Sequence, residues 1–401
     1  MSHSLKEEFG AVRSFFWPIH RHERRKIVPM LLMLFLISLN YSILRCMKDS
    51  VIVTASVARA GLIPFIKVWV LLPTAFLLIY LFAKLSNRFS QERVFYLMIS
   101  GFLVFYVLFA FVLYPFRDYV HPHFFAERLE KISPSIFYGF IEMCRYWTFT
   151  AFYVLAELWG SVVMTVLFWG FANEITKIGE SRRYYAILTV AANLAAMAAG
   201  FLQLHLGSTS LFGSSLPANP VPWEQTMKLL IYVVIVSGLL VMMIFRWMNR
   251  NVLNHPSFDA LHSDRWKARI KKKLSLRESF SYLSNSKYLL CIAVLVLAYH
   301  LVLNLVELIW KDQLALLYPN PSDFNIVMSL LVIAIGFFSV WASFFMARII
   351  EWLGWTKTAL ITPIVMLITS VGYFAFLFFQ DFLPGVVFAV LGTAPALIAI
   401  L

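Results

Sequence analysis

Residues 27–44 read IVPMLLMLFLISLNYSIL, an apolar run without a single charged side chain. A helix needs about 20 mostly apolar residues to cross the hydrocarbon core of a bilayer, so this run predicts a membrane-spanning helix. Similar runs recur along the 401-residue chain, which is 61% hydrophobic and only 14% charged. Soluble domains are about 45–50% apolar and about 25% charged. The composition therefore excludes an ordinary soluble protein and predicts an all-α, polytopic membrane protein.

Ten apolar runs are long enough to span the membrane, and the basic residues between them orient the chain. With the N-terminus placed in the cytoplasm, the cytoplasmic loops carry 24 lysines and arginines and the external loops carry 7. Because cytoplasmic loops are enriched in these residues, the sequence predicts a cytoplasmic N-terminus. The predicted spans are about 27–44, 62–83, 94–115, 146–172, 184–206, 226–247, 288–310, 324–347, 358–379 and 384–401.

The longest cytoplasmic loop is strongly basic and separates the first six spans from the last four. It includes KARIKKK at 267–273. Six helices, a basic linker and further helices are typical of transporters built from two six-helix halves. We therefore predict a cytoplasmic N-terminal segment (1–26), an N-terminal six-helix bundle (27–247), a basic cytoplasmic linker (248–287) and an incomplete C-terminal bundle of four helices (288–401).

Basic side chains inside or at the ends of apolar runs are candidates for function, because a charge in the membrane is energetically costly. Arg45, Lys48 and Asp49 follow the first run, Lys67 lies in the second and Lys311 follows the seventh. Cations that face one cavity can hold a polyanion such as a phosphate chain. The alternative is that these long side chains extend along the lipid to the membrane surface.

Two carboxylates, Glu157 in the fourth run and Glu307 in the seventh, lie deeper still. A carboxylate at that depth pairs with a cation, binds an ion or carries a proton. Glu157 could pair with Arg145 or with a lysine of another helix, and Glu307 could carry a transported proton. The alternative for both is a buried ion pair that only fixes the helix register.

The chain lacks the motifs of nucleotide hydrolysis and of covalent catalysis. It contains no Gly-Lys dipeptide, which excludes a Walker A phosphate loop, and it has no nucleophile motif. The net charge of +13 is attributed to topology and not to nucleic-acid binding. These observations predict a secondary transporter in a lipid bilayer, not an enzyme, with no metal and no cofactor.

Several motifs together resemble one family of carriers along almost the whole chain. The sequence is similar to the nucleotide transporters (ATP/ADP translocases) of chlamydiae, rickettsiae and plastids, and most of all to a chlamydial member. The motifs are FFWPIH (15–20), NYSILR (40–45) with KD (48–49), IPFIKVW (63–69), FYVLAELWGS (152–161), FWGFANEITK (168–177), NLVE (304–307) with WK (310–311), and TP (362–363).

The resemblance implies a twelve-helix carrier with a fold similar to the major facilitator superfamily. Most members exchange ATP for ADP and phosphate, and others import nucleotides, some of them with protons. The intramembrane charges of the family fall on Lys48, Glu157 and Glu307. The chain departs from the family pattern at Cys46, where Asp is usual, and at the segment before IPFIKVW, which lacks the usual acidic residue. The last two helices of the family pattern have no counterpart, so ten spans are expected of a probable twelve.

These inferences combine into a carrier that works by alternating access in the bacterial inner membrane, most simply by exchange of ATP for ADP. Proton-coupled import of nucleotides, or a truncated inactive relative with a scaffold role, are the alternatives. The base preference, the direction of net flux and the oligomeric state are not predicted. We expect the phosphates on Lys48, Arg45, Lys67 and Lys311, the base near Tyr41, Trp159 and Asn304, and charge balance or coupling from Glu157, Glu307, Asp49 and Arg145.

Overall fold

A computed structural model of the chain consists of helices joined by short turns, and none of the residues it describes lies in a strand. The described residues are 19–21, 23–55, 59–134, 137–176, 178–207, 222–253 and 286–378. The helices are α1 (Arg24–Ala55), α2 (Leu62–Arg88), α3 (Gln91–Leu113), α4 (Arg117–Val120), α5 (His123–Ile132), α6 (Tyr138–Arg145), α7 (Trp147–Ile175), α8 (Ile178–Gly207), α9 (Trp223–Met248), α10 (Lys287–Leu317), α11 (Pro321–Leu353) and α12 (Trp355–Phe378).

Eight of these helices are long and apolar enough to cross a membrane, and they coincide with the first eight predicted spans. They are α1, α2, α3, α7, α8, α9, α10 and α11. The ninth predicted span falls on α12, whose apolar part is Leu360–Ala375. The tenth span at 384–401, the N-terminal residues 1–18 and most of the predicted linker lie outside the described residues. The predicted all-α polytopic fold is confirmed.

Helix α1 lies at the centre of the bundle, because it packs against α7, α8, α9 and α11. Asn40 of α1 is fully buried, and its side chain both donates a hydrogen bond to α9 and accepts one from it. The Asn40 amide donates to the Val234 carbonyl at 3.1 Å, and the Ser237 hydroxyl donates to the Asn40 carbonyl. Such hydrogen bonds fix helix pairs in a lipid environment, where packing of apolar side chains alone provides little selectivity.

The two halves of the chain meet where α8 packs closely along α11. A Cβ atom on Gly200 would lie 2.6 Å from Ile333 Cγ1 and 2.8 Å from the Ser329 carbonyl oxygen. A Cβ atom on Gly336 would lie 2.5 Å from Met197 Cγ. Glycine at both positions therefore lets the two helices approach closely, as small residues do at membrane helix interfaces.

The described residues contain four π-helical stretches: Lys67–Leu71 in α2, Phe109–Leu113 in α3, Trp159–Trp169 in α7 and Asn249–Leu253 directly after α9. The turn in α2 directly precedes Pro73, which has no N–H to donate to the helix ladder. In α7 the Thr165 hydroxyl donates to the Gly160 carbonyl five residues earlier, at 3.2 Å. Such turns re-aim side chains and often mark functional sites; here they begin at Lys67 and Trp159.

Candidate functional site

The charges at the end of the first predicted span lie on one face of α1. Arg45, Lys48 and Asp49 are spaced i, i+3 and i+4, which places them side by side on a helix surface. On α10 the residues Glu307 and Lys311 share a face for the same reason, and the two faces meet. The sequence thus brings two charged stripes from opposite halves of the chain to one place.

Asp49 lies between two lysines and joins the halves. Its Oδ1 lies 2.9 Å from Lys48 Nζ and its Oδ2 lies 2.7 Å from Lys311 Nζ. Asp49 is fully buried, and both lysines are only 3% exposed. Burial of a charge is costly unless the charge is paired, and the short contacts on both oxygens satisfy that condition. All three charged groups are enclosed by the protein.

Glu157 pairs with a lysine of another helix and not with Arg145. Its Oε2 lies 3.1 Å from Lys48 Nζ, and the same ammonium lies 4.1 Å from the ring centroid of Tyr153, one helical turn before Glu157 on α7. A cation over an aromatic face is stabilised by the ring quadrupole. Lys48 is thus held by two carboxylates and one aromatic ring.

Glu307 extends the chain of charges towards Arg45. Its Oε1 lies 2.8 Å from Lys311 Nζ and 3.5 Å from the Arg45 guanidinium. In contrast to Asp49, the side chains of Glu307 and Arg45 are about one third and nearly one half exposed. The central cluster, defined here as Arg45, Lys48, Asp49, Glu157, Glu307 and Lys311, therefore has a buried core and an accessible edge.

Lys67 of α2 lies at a small cavity beside the central cluster and donates a hydrogen bond to the Asn304 side-chain carbonyl. The cavity has a volume of about 230 Å³, and its lining includes Lys67, Asn304, Glu307 and Lys311. Small-molecule sites measure about 300–1,000 Å³. The cavity is therefore smaller than a typical small-molecule site, and it lies between α2 and α10.

The other predicted site residues are placed differently. Tyr41 packs with its ring against Gly160, where a Cβ atom would lie only 2.7 Å from ring atom Cε2, and it lies one turn before Arg45. Trp159 is fully buried, and its indole donates to the Ile37 carbonyl at 3.1 Å. Arg145 lies in a separate network with Glu130 and Glu142 at 2.8 Å and 2.6 Å. Of the predicted residues, only Trp159 and Arg145 are not brought to the cluster or its edge.

Tyr153 contacts the cluster through Lys48 although the charge pattern did not single it out. An aromatic residue in an apolar run has no energetic cost of membrane burial, so that criterion does not select it. Its spacing of four residues from Glu157 is the available signal, because i and i+4 share a helix face. With Lys67 included, the site has four cations against the three carboxylates Asp49, Glu157 and Glu307. An excess of positive charge suits an anionic ligand.

Comparison with known proteins identifies one family. The model of the TLC ATP/ADP transporter family matches residues 2–401. ADP,ATP carrier protein 1 of Chlamydia muridarum is 44% identical over 100% of this chain and 75% of its own length. ADP,ATP carrier protein 1 of Rickettsia bellii is 38% identical over 97% of this chain and 76% of its own length. ADP,ATP carrier protein 2 of Chlamydia pneumoniae is 35% identical over 100% of this chain and 75% of its own length. No solved structure matches the chain.

Proposed function

The chain belongs to the TLC ATP/ADP transporter family, and we propose that it exchanges ATP for ADP across a bacterial inner membrane by alternating access. The relatives that carry the name ADP,ATP carrier protein match it over nearly its whole length. The predicted function as an exchange carrier is thereby supported over the alternative of an inactive scaffold.

One observation carries the proposal: the cations available for a phosphate chain lie between the two halves of the protein. Lys48 and Arg45 belong to α1, while Lys311 belongs to α10, and the pairs Asp49–Lys311 and Arg45–Glu307 cross from one half to the other. A ligand bound there touches both halves, which is the position that transporters of two-bundle architecture use for substrate.

The phosphates bind by competing with carboxylates for these cations. Arg45 and Lys67 lie at the accessible edge and meet the nucleotide first, the guanidinium as a bidentate fork. Lys48 and Lys311 are compact point charges that lie deeper. As the phosphate chain advances, Lys48 is released from Asp49 and Glu157, and Lys311 is released from Asp49 and Glu307. Tyr41 and Asn304 lie at the same edge and are proposed to contact the base.

Exchange of nucleotides fits the cluster better than proton-coupled import. Each carboxylate has a cationic partner, because Glu157 lies 3.1 Å from Lys48 and Glu307 lies 2.8 Å from Lys311. Charge balance in the empty carrier therefore needs no bound proton. In the empty site, Glu157 and Glu307 balance the positive charge of the lysines. In the occupied site, the phosphate groups of the nucleotide balance that charge instead, and ADP is accompanied by phosphate.

The proposed orientation and domain division follow from the loop charges. The 24 basic residues on one side against 7 on the other favour a cytoplasmic N-terminus. Residues 27–247 form one bundle and residues 288–401 contribute the other, with the basic segment 248–287 as the cytoplasmic linker.

Radiolabelled ATP uptake tests the function. The full chain is produced in bacterial cells, and uptake is measured with and without an uncoupler, followed by a chase with external unlabelled ADP. Exchange predicts that uptake survives the uncoupler and that external ADP releases the label. Uptake that the uncoupler abolishes would support proton coupling, and cells without the chain provide the background.

A further inference from the structure

The short helix α5 lies between the third and fourth membrane-spanning helices and presents three chemically different sides. Residues four positions apart lie one above the other on a helix and form a stripe, so the residues of each side can be identified from their spacing in the sequence. One stripe is Ala126 and Glu130, the next contains Glu127 and Lys131, and a third contains Phe124, Arg128 and Ile132, with Phe125 beside it.

The first side of α5 faces the protein. Ala126 is buried, and Glu130 lies 2.8 Å from the Arg145 guanidinium of α6. These contacts fix the rotation of α5, so the orientation of its other two sides is determined by the fold.

The apolar side is uncovered in the part of the chain that the structure describes. Phe124, Phe125 and Ile132 are 68%, 62% and 82% exposed. Arg128 lies between Phe124 and Ile132 in this stripe, and its guanidinium lies 4.3 Å from the centroid of the Phe124 ring. Phe116 and Tyr119, in the segment between α3 and α5, are also exposed.

We propose that the apolar side of α5 lies in the boundary between lipid headgroups and acyl chains, at the end of the bundle where α3 ends and α7 begins. Both neighbouring helices are candidate membrane spans, so the segment from Phe116 to Tyr146 begins and ends at the same bilayer surface. Aromatic residues are enriched at that depth. With Glu127 and Lys131 turned to water, α5 has the side arrangement of an interfacial amphipathic helix.

Arg128 fits this placement by its length and its position. Its stem covers the Phe124 ring while its guanidinium can reach a lipid phosphate, which is the behaviour of arginine at a membrane surface. The described charges of the stretch 117–132 are balanced, with Arg117, Arg128 and Lys131 against Asp118, Glu127 and Glu130. Binding therefore depends on apolar insertion and does not need anionic lipid.

The lipid contact also bears on α2, because α6 connects the two. A Cβ atom on Gly139 of α6 would lie 2.5 Å from the Phe65 ring of α2, and the Phe140 ring lies 5.1 Å from the ring of Trp69. Phe65 and Trp69 flank Lys67. A segment held at the membrane surface thus supports the part of α2 that carries a cation of the candidate site.

Nitroxide labels on the full chain in phosphatidylcholine vesicles test the placement. The exposed cysteines Cys144 and Cys291 are first replaced by serine, while Cys46 is buried and stays. Single labels are attached through Phe125→Cys and Ile132→Cys on the apolar side, and through Glu127→Cys and Lys131→Cys as matched controls on the polar side. Because all four side chains are exposed, the variants are expected to fold, which size-exclusion chromatography verifies.

The measurement compares collisions of each label with oxygen, which concentrates in lipid, and with a water-soluble nickel complex. We expect oxygen to dominate at positions 125 and 132 and the nickel complex to dominate at 127 and 131. Dominance of the nickel complex at all four positions would place α5 in water and overturn the proposal. Exclusion of both reagents from 125 and 132 would also overturn it, because a protein surface or a second copy would then cover this side.

Discussion

Two ion-pair networks of the molecule use the same residue types for different purposes. The central cluster joins α1, α7 and α10, and its members Arg45 and Glu307 are 262 residues apart in sequence. The outer network joins Arg145 to Glu142 in its own helix and to Glu130 in α5, all between the third and fourth spans. The first network connects the two halves of the carrier, while the second connects residues within the single segment between α3 and α7.

The two networks also differ in where they can meet a ligand. Arg45, Glu157 and Glu307 of the central cluster are partly exposed, so an anion can compete for the lysines behind them. Glu142 of the outer network is fully buried and Arg145 nearly so. Loss of a central charge should therefore impair transport, whereas loss of an outer charge should impair stability.

The largest effect is expected from Lys48→Gln, which removes the cation that contacts both Asp49 and Glu157. The variant leaves Glu157 without its cation and leaves Asp49 with Lys311 alone, and it removes a proposed phosphate ligand. We expect uptake to fall roughly 100-fold, which corresponds to about 2.8 kcal/mol and lies within the 2–5 kcal/mol that removal of one member of a buried charge pair typically costs. Radiolabelled ATP uptake measures the effect.

The matched control is Lys228→Gln, which removes a partly exposed lysine paired with Glu224 one turn away on α9. Exposed pairs of this kind contribute little, so uptake should stay at the level of the unaltered chain. Full uptake by the Lys48→Gln variant would eliminate the proposed phosphate site.

The second prediction concerns Glu307→Gln, which frees Lys311 and Arg45 from a shared carboxylate. With less competition for the cations, the nucleotide should bind more tightly and leave more slowly. We expect the maximal exchange rate to fall roughly tenfold, about 1.4 kcal/mol, and the half-saturating ATP concentration to fall with it. A Glu224→Gln variant serves as the control, and a rise in the half-saturating concentration would contradict this role of Glu307.

The difference between the networks was only partly predictable from sequence. Each spanning helix is encoded locally in the length of its apolar run, so eight spans could be located in advance. Lys48, Glu157, Glu307 and Lys311 stood out because an intramembrane charge is costly wherever it lies. Which charges pair depends on which helices touch, and composition does not encode that.

Arg145 illustrates the limit. It lies directly before the predicted run 146–172 and twelve residues before Glu157, so an interaction with the cluster was a reasonable expectation. The structure breaks the helix at Tyr146, and Arg145 turns outward to Glu130 on α5. The break and the π-helical turns are changes in backbone hydrogen-bond register, and an apolar sequence contains little that would predict them. Trp159 is similar, because a buried tryptophan and a ligand-stacking tryptophan look alike in sequence.

The third prediction tests the outer network through Arg145→Gln. Removing one partner of a buried ion pair leaves an uncompensated charge and costs about 3–5 kcal/mol. The temperature of unfolding in detergent should fall clearly, while exchange by the protein that remains folded keeps its half-saturating ATP concentration. The control is Arg128→Gln on the exposed side of α5, which should leave the unfolding temperature nearly unchanged. A transport defect without loss of stability would place Arg145 in the transport mechanism after all.

The smallest effect concerns His121, which lies beside the outer network and hydrogen-bonds Thr148 at 2.6 Å. Burial, with a smaller contribution from the nearby His123, lowers the pKa of His121 to about 4. In the unfolded chain the imidazole titrates near pH 6.5, so between pH 6.5 and 4 the unfolded state binds the extra proton. The unfolding temperature should therefore fall as the pH drops through this window.

The His121→Gln variant tests this prediction, because glutamine can still hydrogen-bond Thr148 but cannot titrate. It should reduce the pH dependence of the unfolding temperature, whereas the control His300→Gln on α10 should preserve that pH dependence. An unchanged slope in His121→Gln would contradict this role of His121.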